Sequence, residues 1–168
     1  MEVHQPASLV LGDLDEEAAR LGDAPAALSA LDRSRAAMAR TNGDKRPWTR
    51  FLDPARHGSL QIATDVQLGR VNEAARTADT VLVTLDTREE KKRSIALADV
   101  ASVALHQDDL DRACALATEA LAVSRRTETT VGMHRVHQLR RDMQPWNGTR
   151  SVRLLDQQLA AASTETTP

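Results

Sequence analysis

A short phrase recurs three times along the chain, each time between two segments whose apolar residues follow helical spacing. The copies read Leu21-Gly22-Asp23-Ala24-Pro25-Ala26-Ala27, then Leu68-Gly69-Arg70-Val71-Asn72-Glu73-Ala74, then Gln107-Asp108-Asp109-Leu110-Asp111-Arg112-Ala113. A helix–turn–helix unit cannot bury its apolar stripe alone and must pack on its neighbours. The recurrence therefore predicts an array of helix pairs, an architecture more typical of binding than of catalysis.

The composition agrees with helices and limits the partners. Apolar residues make up 41% of the chain and aromatic residues only 2%, so Ala, Leu and Val dominate the apolar fraction. Ala and Leu favour helices, and the composition gives little indication of strands. The sequence therefore predicts an all-α chain. The 22 basic and 24 acidic residues give a net charge of −2. Because this balance gives no long-range attraction to phosphate or to an anionic bilayer, we expect neither direct DNA binding nor membrane association.

Start and stop signals divide the chain into about eight helices in four pairs. The pairs cover about 8–40, 54–86, 88–126 and 129–161, within a single domain over 1–162 that is followed by a flexible tail, 163–168. Asp23 is expected to cap a helix that has Pro25 in its first turn. Thr87 and Glu90 have the spacing of a capping box. The segment 41–47 contains Asn-Gly and a proline, and predicts the longest internal loop.

The single cysteine, Cys114, cannot form an internal disulfide. It lies in an alanine-rich run, where a buried structural thiol and a reactive thiol are the two interpretations. The N-terminus lacks a basic segment followed by an apolar core, and no stretch reaches the length of a membrane span. We therefore expect a reducing, cytoplasmic setting.

Two resemblances follow from these residues. The small residues and the Leu-Gly turn resemble a divergent tetratricopeptide repeat, which implies antiparallel helix pairs stacked into a short right-handed solenoid. The order of motifs is similar to the C-terminal repeat region of actinobacterial helix-turn-helix transcriptional regulators of the Xre type. The motifs are Pro47-Trp48-x-x-Phe51-Leu52-Asp53, Leu68-Gly69-Arg70 and Asp109-Leu110-Asp111-x-Ala113-Cys114, with Val136-x-x-Leu139-Arg140 and Val152-x-x-Leu155-Asp156.

The second resemblance implies the sensing or dimerising half of a regulator, with DNA held by a separate N-terminal domain. No helix-turn-helix reader precedes the repeats in this sequence. Two functions follow from this. The chain is expected to be a non-enzymatic module that binds a protein, a peptide or a second copy of itself. The alternative is a shortened regulator fragment that lacks its DNA-binding domain and has no independent activity.

The first helices of stacked pairs line an inner groove that accepts an extended peptide or a partner helix. Polar positions on those helices are candidate groove residues, with ordinary solvent exposure as the alternative. They are Arg50, His57, Gln61, Asp65 and Asp99. Trp48 and Phe51 are candidate partner-binding aromatics, since aromatic residues are enriched at binding hot spots; packing of the long loop onto the repeats is the other interpretation.

The sequence contains no motif that indicates a catalytic, metal-binding or phosphate-binding site. His134 and His137 stand three residues apart and could share a helix face, but a metal site needs three or four donors. Phosphate-binding loops, nucleophile motifs and paired carboxylates in an apolar context are not found. We therefore expect no catalytic residue, no metal and no cofactor.

Overall fold

The computed structural model describes residues 22–41, 54–85 and 88–164. These ranges contain α-helices and no strand, which confirms the all-α prediction. The helices are α1 (Ala24–Thr41), α2 (Pro54–Gln67), α3 (Val71–Thr84), α4 (Glu90–His106), α5 (Leu110–Arg126), α6 (Thr130–Asp142) and α7 (Arg150–Thr164), with a 3₁₀ turn over Gln144–Trp146.

The described ranges hold seven helices, one fewer than the eight expected. The segment expected as the first helix, about 8–21, lies outside the described residues, as does all but the first residue of the loop expected over 41–47. Helix α7 continues to Thr164 and so includes the first two residues of the segment expected as a tail. The other helix ends agree with the expected pairs to within a few residues.

The same left-handed backbone conformation recurs at four turns. Gly22, Gly69, Asp108 and Glu128 each have a positive φ, of 75°, 70°, 61° and 52°. After α4, the Asp109 N–H donates to the Ala104 carbonyl at 3.0 Å, and the Asp108 N–H donates to the Leu105 carbonyl at 3.1 Å. This pair of bonds is a Schellman motif, which satisfies the last carbonyls of a helix through one left-handed residue.

Equivalent bonds close α2 and α5. The Arg70 N–H donates to the Asp65 carbonyl at 2.7 Å, and the Thr129 N–H donates to the Ser124 carbonyl at 2.9 Å. In each case the donor is also the residue from which the next helix begins, because its own carbonyl accepts the first helical bond. The turn therefore ends one helix and starts the next within three residues.

Side-chain caps occur at two of the four turns. The Asp23 carboxylate accepts from the Ala26 N–H and the Asp109 carboxylate from the Arg112 N–H, each at 3.1 Å. The first of these caps is the one predicted from the sequence. Helix α4 is capped at Glu89 without a side-chain bond, and Thr87 of the predicted capping box lies outside the described residues.

The chain divides into two compact units, Met1–Thr77 and Ala78–Pro168, with the boundary inside α3. The prediction that residues 1–162 form a single domain is not tested by this division into units. In the described part of the first unit, the buried apolar residues are small or aliphatic. They are Ala27, Ala30, Leu31, Ala37, Ile62 and Ala74.

In the second unit, α4 packs along α5 and α6, and α5 packs on α6 and α7. Alanines with at most 2% of their surface exposed line the interface between these helices, among them Ala98, Ala101, Ala113 and Ala117. Their small side chains let the helix backbones approach closely. Helix α4 is buried on most of its circumference, which a helix with apolar residues all round requires.

Candidate functional site

The aromatic candidates Trp48 and Phe51, and the candidate Arg50, lie outside the described residues. His57, Gln61 and Asp65 lie on one face of α2 at four-residue spacing. The imidazole Nδ1 of His57 is 3.5 Å from Ser34 Oγ on α1.

The three α2 residues form a polar seam that is largely interior. His57 is 8% exposed and Asp65 is 1% exposed. Arg35 donates to Gln61 Oε1 at 3.2 Å. The Arg70 guanidinium forms an ion pair with Asp65 at 3.3 Å. The structure brings these predicted residues together, but His57 and Asp65 lie in the interior instead of lining an open groove.

Burial changes the proton affinity of both ionisable groups in the seam. It lowers the pKa of His57 below its ordinary value, with the Arg35 charge acting in the same direction and Asp32 against it. Burial also raises the pKa of Asp65, while the Arg70 charge and the Gln61 amide act in the opposite direction. Among the described residues, neither His57 Nε2 nor the Thr64 hydroxyl has a hydrogen-bond partner. The seam therefore tolerates a charged histidine poorly.

Asp99, the remaining candidate, lies in the second unit on α4 and is 4% exposed. Its Oδ1 is 3.7 Å from the Arg135 guanidinium of α6. The pair links α4 to α6, with the Asp99 carboxylate buried and the Arg135 side chain partly exposed.

An open groove of about 990 Å³ lies where α5 turns into α6. The last turn of α5, the turn itself and the first two turns of α6 form its walls, and Ala162 of α7 contributes one edge. Its lining combines apolar, basic and imidazole side chains with one acid. The lining residues are Ala122, Ser124, Arg125, Arg126, Glu128, Thr129, Thr130, Met133, His134, His137 and Ala162.

A close helix approach positions the α6 wall of this groove. A Cβ atom added to Gly132 would lie 2.6 Å from Ser94 Oγ and 3.2 Å from Ser94 Cβ, and would also clash with Ser124 Oγ. Ser94 belongs to α4 and Ser124 to α5, so three helices meet at this glycine. The left-handed residue Glu128 makes the approach possible, because it reverses the chain directly after α5.

A second, shallower depression of about 640 Å³ lies beside the same turn. Its lining is Arg88, Glu89, Glu90, Lys91, Lys92 and Thr127. Arg126 donates to both carboxylate oxygens of Glu90, at 2.8 and 3.3 Å, and this bond lowers the pKa of Glu90. The start of α4 is thereby tied to the end of α5, so both depressions lie at one end of the second unit.

Cys114 is buried, as one of the two interpretations expected, and its Sγ lies 3.9 Å from Met143 Sδ. Burial raises the pKa of this thiol above its ordinary value, with Asp111 acting in the same direction. Since the thiolate is the reactive form, this environment favours a structural role for the residue.

Sequence reasoning did not select the groove at the α5–α6 turn as a site. It weighed His134 and His137 only as metal ligands, and in the described ranges no group of three or more His, Cys, Asp or Glu side chains is arranged to hold a metal. The available signal was a pair of arginines, Arg125 and Arg126, followed by two histidines on the next helix. The turn between 126 and 129 was expected from the sequence, but the positive φ of Glu128 was not, because glutamate rarely adopts it.

Comparison with known proteins matched no protein-family model, no curated protein and no solved structure. Within the described part of the chain, none of the helices combines the length and the apolar character needed to cross a membrane.

Proposed function

We propose that this chain is a non-enzymatic helical-repeat module that binds a segment of a partner protein. Its relation to the sensor half of Xre-type transcriptional regulators, suggested by the sequence motifs, is part of the same proposal. The recurring turn supports the repeat, since Gly22, Gly69, Asp108 and Glu128 share one backbone conformation at four turns. Such turns favour antiparallel helix pairs that stack side by side.

The groove at the α5–α6 turn is the observation that carries the binding proposal. Its lining includes Ala122, Met133 and Ala162, which offer apolar contact area to a segment laid along it. Peptide segments bind helical proteins by placing apolar side chains in such grooves and polar ones along the rim. Exposed Arg125 and His137 supply polar groups at the rim here.

A peptide library displayed on phage tests the proposal without knowledge of the natural partner. Peptides enriched on the full chain are synthesised, and their affinity is measured by fluorescence anisotropy. The groove variant is Ala122→Glu, which places a larger charged side chain at an exposed lining position. We expect it to weaken binding about tenfold or more, a change of about 1.4 kcal/mol.

Ala115→Glu is the matched control. Ala115 is exposed on α5, two turns before Ala122 and on the same helix face, and it does not line the groove. Both variants are checked for unchanged helicity and melting temperature. The proposal is overturned if no peptide is enriched, or if Ala122→Glu and Ala115→Glu weaken binding equally.

A further inference from the structure

We infer that the groove and the neighbouring depression form one surface that takes an acidic amphipathic segment of a partner protein. This inference rests on the proposed function and adds the chemistry of the ligand. The two depressions meet at the α5–α6 turn, where Thr127 lines one and Glu128 lines the other. The Arg126–Glu90 ion pair bridges them.

The charge of this surface differs from that of the chain as a whole. Five basic side chains line the two depressions, against three acidic ones. The basic residues are Arg88, Lys91, Lys92, Arg125 and Arg126, and the acidic residues are Glu89, Glu90 and Glu128. The full chain carries a net charge of −2, so this end of the second unit is positive while the remainder is more strongly negative.

Two imidazole side chains also belong to this surface. His134 and His137 are exposed in the groove wall, one turn apart on α6. Arg125, Arg126, Glu128 and the Glu90 carboxylate are the charged groups of α5, the turn and α4 that share this surface with them.

The mixed lining favours a protein segment over a nucleic acid. Ala122, Met133 and Ala162 provide an apolar strip that phosphate groups cannot use. The basic residues beside this strip offer charge partners for carboxylates. A segment with leucines on one face and carboxylates on the other matches both features of the surface.

The test uses two synthetic amphipathic peptides with identical leucine spacing, one with glutamate and one with lysine at the polar positions. A duplex DNA oligonucleotide is the third probe. We expect the full chain to bind the glutamate peptide more tightly than the lysine peptide, and increasingly so as salt is reduced. Ala122→Glu should weaken this binding.

A charge-reversal variant measures the electrostatic contribution to the affinity for the glutamate peptide. Lys91→Glu should weaken the glutamate peptide about two- to fivefold, the range expected when an exposed ion pair is lost. Arg153→Glu changes the net charge equally at an exposed position of α7 outside both depressions, and should leave the affinity unchanged.

Four results would each overturn the inference: preference for the lysine peptide, equal effects of the two reversals, tighter binding of the DNA, or no binding of either peptide. A dimer that Ala122→Glu dissociates would also overturn it, because a second copy would then fill the groove. The phage-selected peptides decide the proposed function separately. If they depend on Ala122 but carry no acidic residues, the proposed function stands and this inference falls.

Discussion

Two residues at helix ends hold a backbone conformation that suits glycine better. Asp108 and Glu128 have positive φ values at positions equivalent to Gly22 and Gly69. L-residues other than glycine pay about 1 kcal/mol or more for this conformation. We therefore expect Glu128→Gly to raise the free energy of unfolding by about 0.5–1 kcal/mol in urea titrations followed by circular dichroism.

The reverse substitution should be unfavourable at Gly69. A Cβ there would meet no atom within 4 Å, so the φ of +70° is the whole reason for a loss of about 1 kcal/mol in Gly69→Ala. Gly148→Ala is the control, because Gly148 has equal space and no positive φ. Equal losses in the two alanine variants would contradict this explanation of the repeat turns.

Gly132 serves packing instead of backbone conformation. Alanine is the better helix former, by about 1 kcal/mol, yet its Cβ would overlap the hydroxyls of Ser94 and Ser124. We expect Gly132→Ala to lower the free energy of unfolding by about 1–3 kcal/mol, as overpacked sites do. Since Ser124→Ala removes one of the overlapping atoms, the double variant should lose less than the sum of the single losses. Strict additivity would show that the two sites are independent.

The seam of α2 makes stability depend on pH through His57. Its pKa is lowered in the folded chain, so its contribution to stability is present above the ordinary value of 6.5 and is lost as the pH falls toward the folded value. His57→Gln should therefore flatten the fall in melting temperature of the first unit between pH 7 and pH 5. His134→Gln, at an exposed histidine, is the control. The explanation fails if wild type and His57→Gln lose stability in parallel.

At the scale of elements, one ion pair ties α6 to α7. Arg140 donates to both oxygens of Asp156, at 2.5 and 2.8 Å, and also to Asn147 Oδ1 at 2.8 Å. Because Arg140 is mostly buried and the geometry is bidentate, Asp156→Asn should lower the free energy of unfolding by about 1 kcal/mol. Glu119→Gln, which breaks the more exposed Arg93–Glu119 pair, should cost less.

The same pair has a defined pH dependence. The bond to Arg140 lowers the pKa of Asp156 below its ordinary value of 3.8. Its contribution is therefore complete above that value and is lost as the pH falls through the folded pKa. Melting curves of wild type and Asp156→Asn should converge in strong acid. A constant difference down to pH 2 would contradict the assignment.

Most element boundaries could be predicted from local sequence. Asp23 as a cap, and glycine at two of the turns, are short-range signals with direct physical causes. The position of the turn between 126 and 129 was predicted, but the left-handed conformation of Glu128 was not, because glutamate rarely adopts a positive φ. The burial of His57, Asp65 and Asp99 could not be predicted either, since helical periodicity assigns polar residues to the solvent side.

At the scale of the molecule, the two compact units differ in how their polar groups are used. In the first, His57 and Asp65 are buried along the described part of the helix α2 seam. In the second, polar and basic groups gather around an open groove at the α5–α6 turn. The sequence predicted a binding module, and those of its candidate residues that the structure describes lie on α2 and α4. The groove became visible only when α4, α5 and α6 were assembled around Gly132.

Chemical-shift mapping by NMR tests the central claim, that the α5–α6 groove binds a protein segment. The isotope-labelled full chain is titrated with the tightest phage-selected peptide, and the backbone amide shifts are followed. We predict that the largest changes fall within 122–137, with smaller ones over 88–92, and that Ala122→Glu abolishes them while Ala115→Glu does not. Changes concentrated in 54–67, or spread without relation to the groove, would contradict the account.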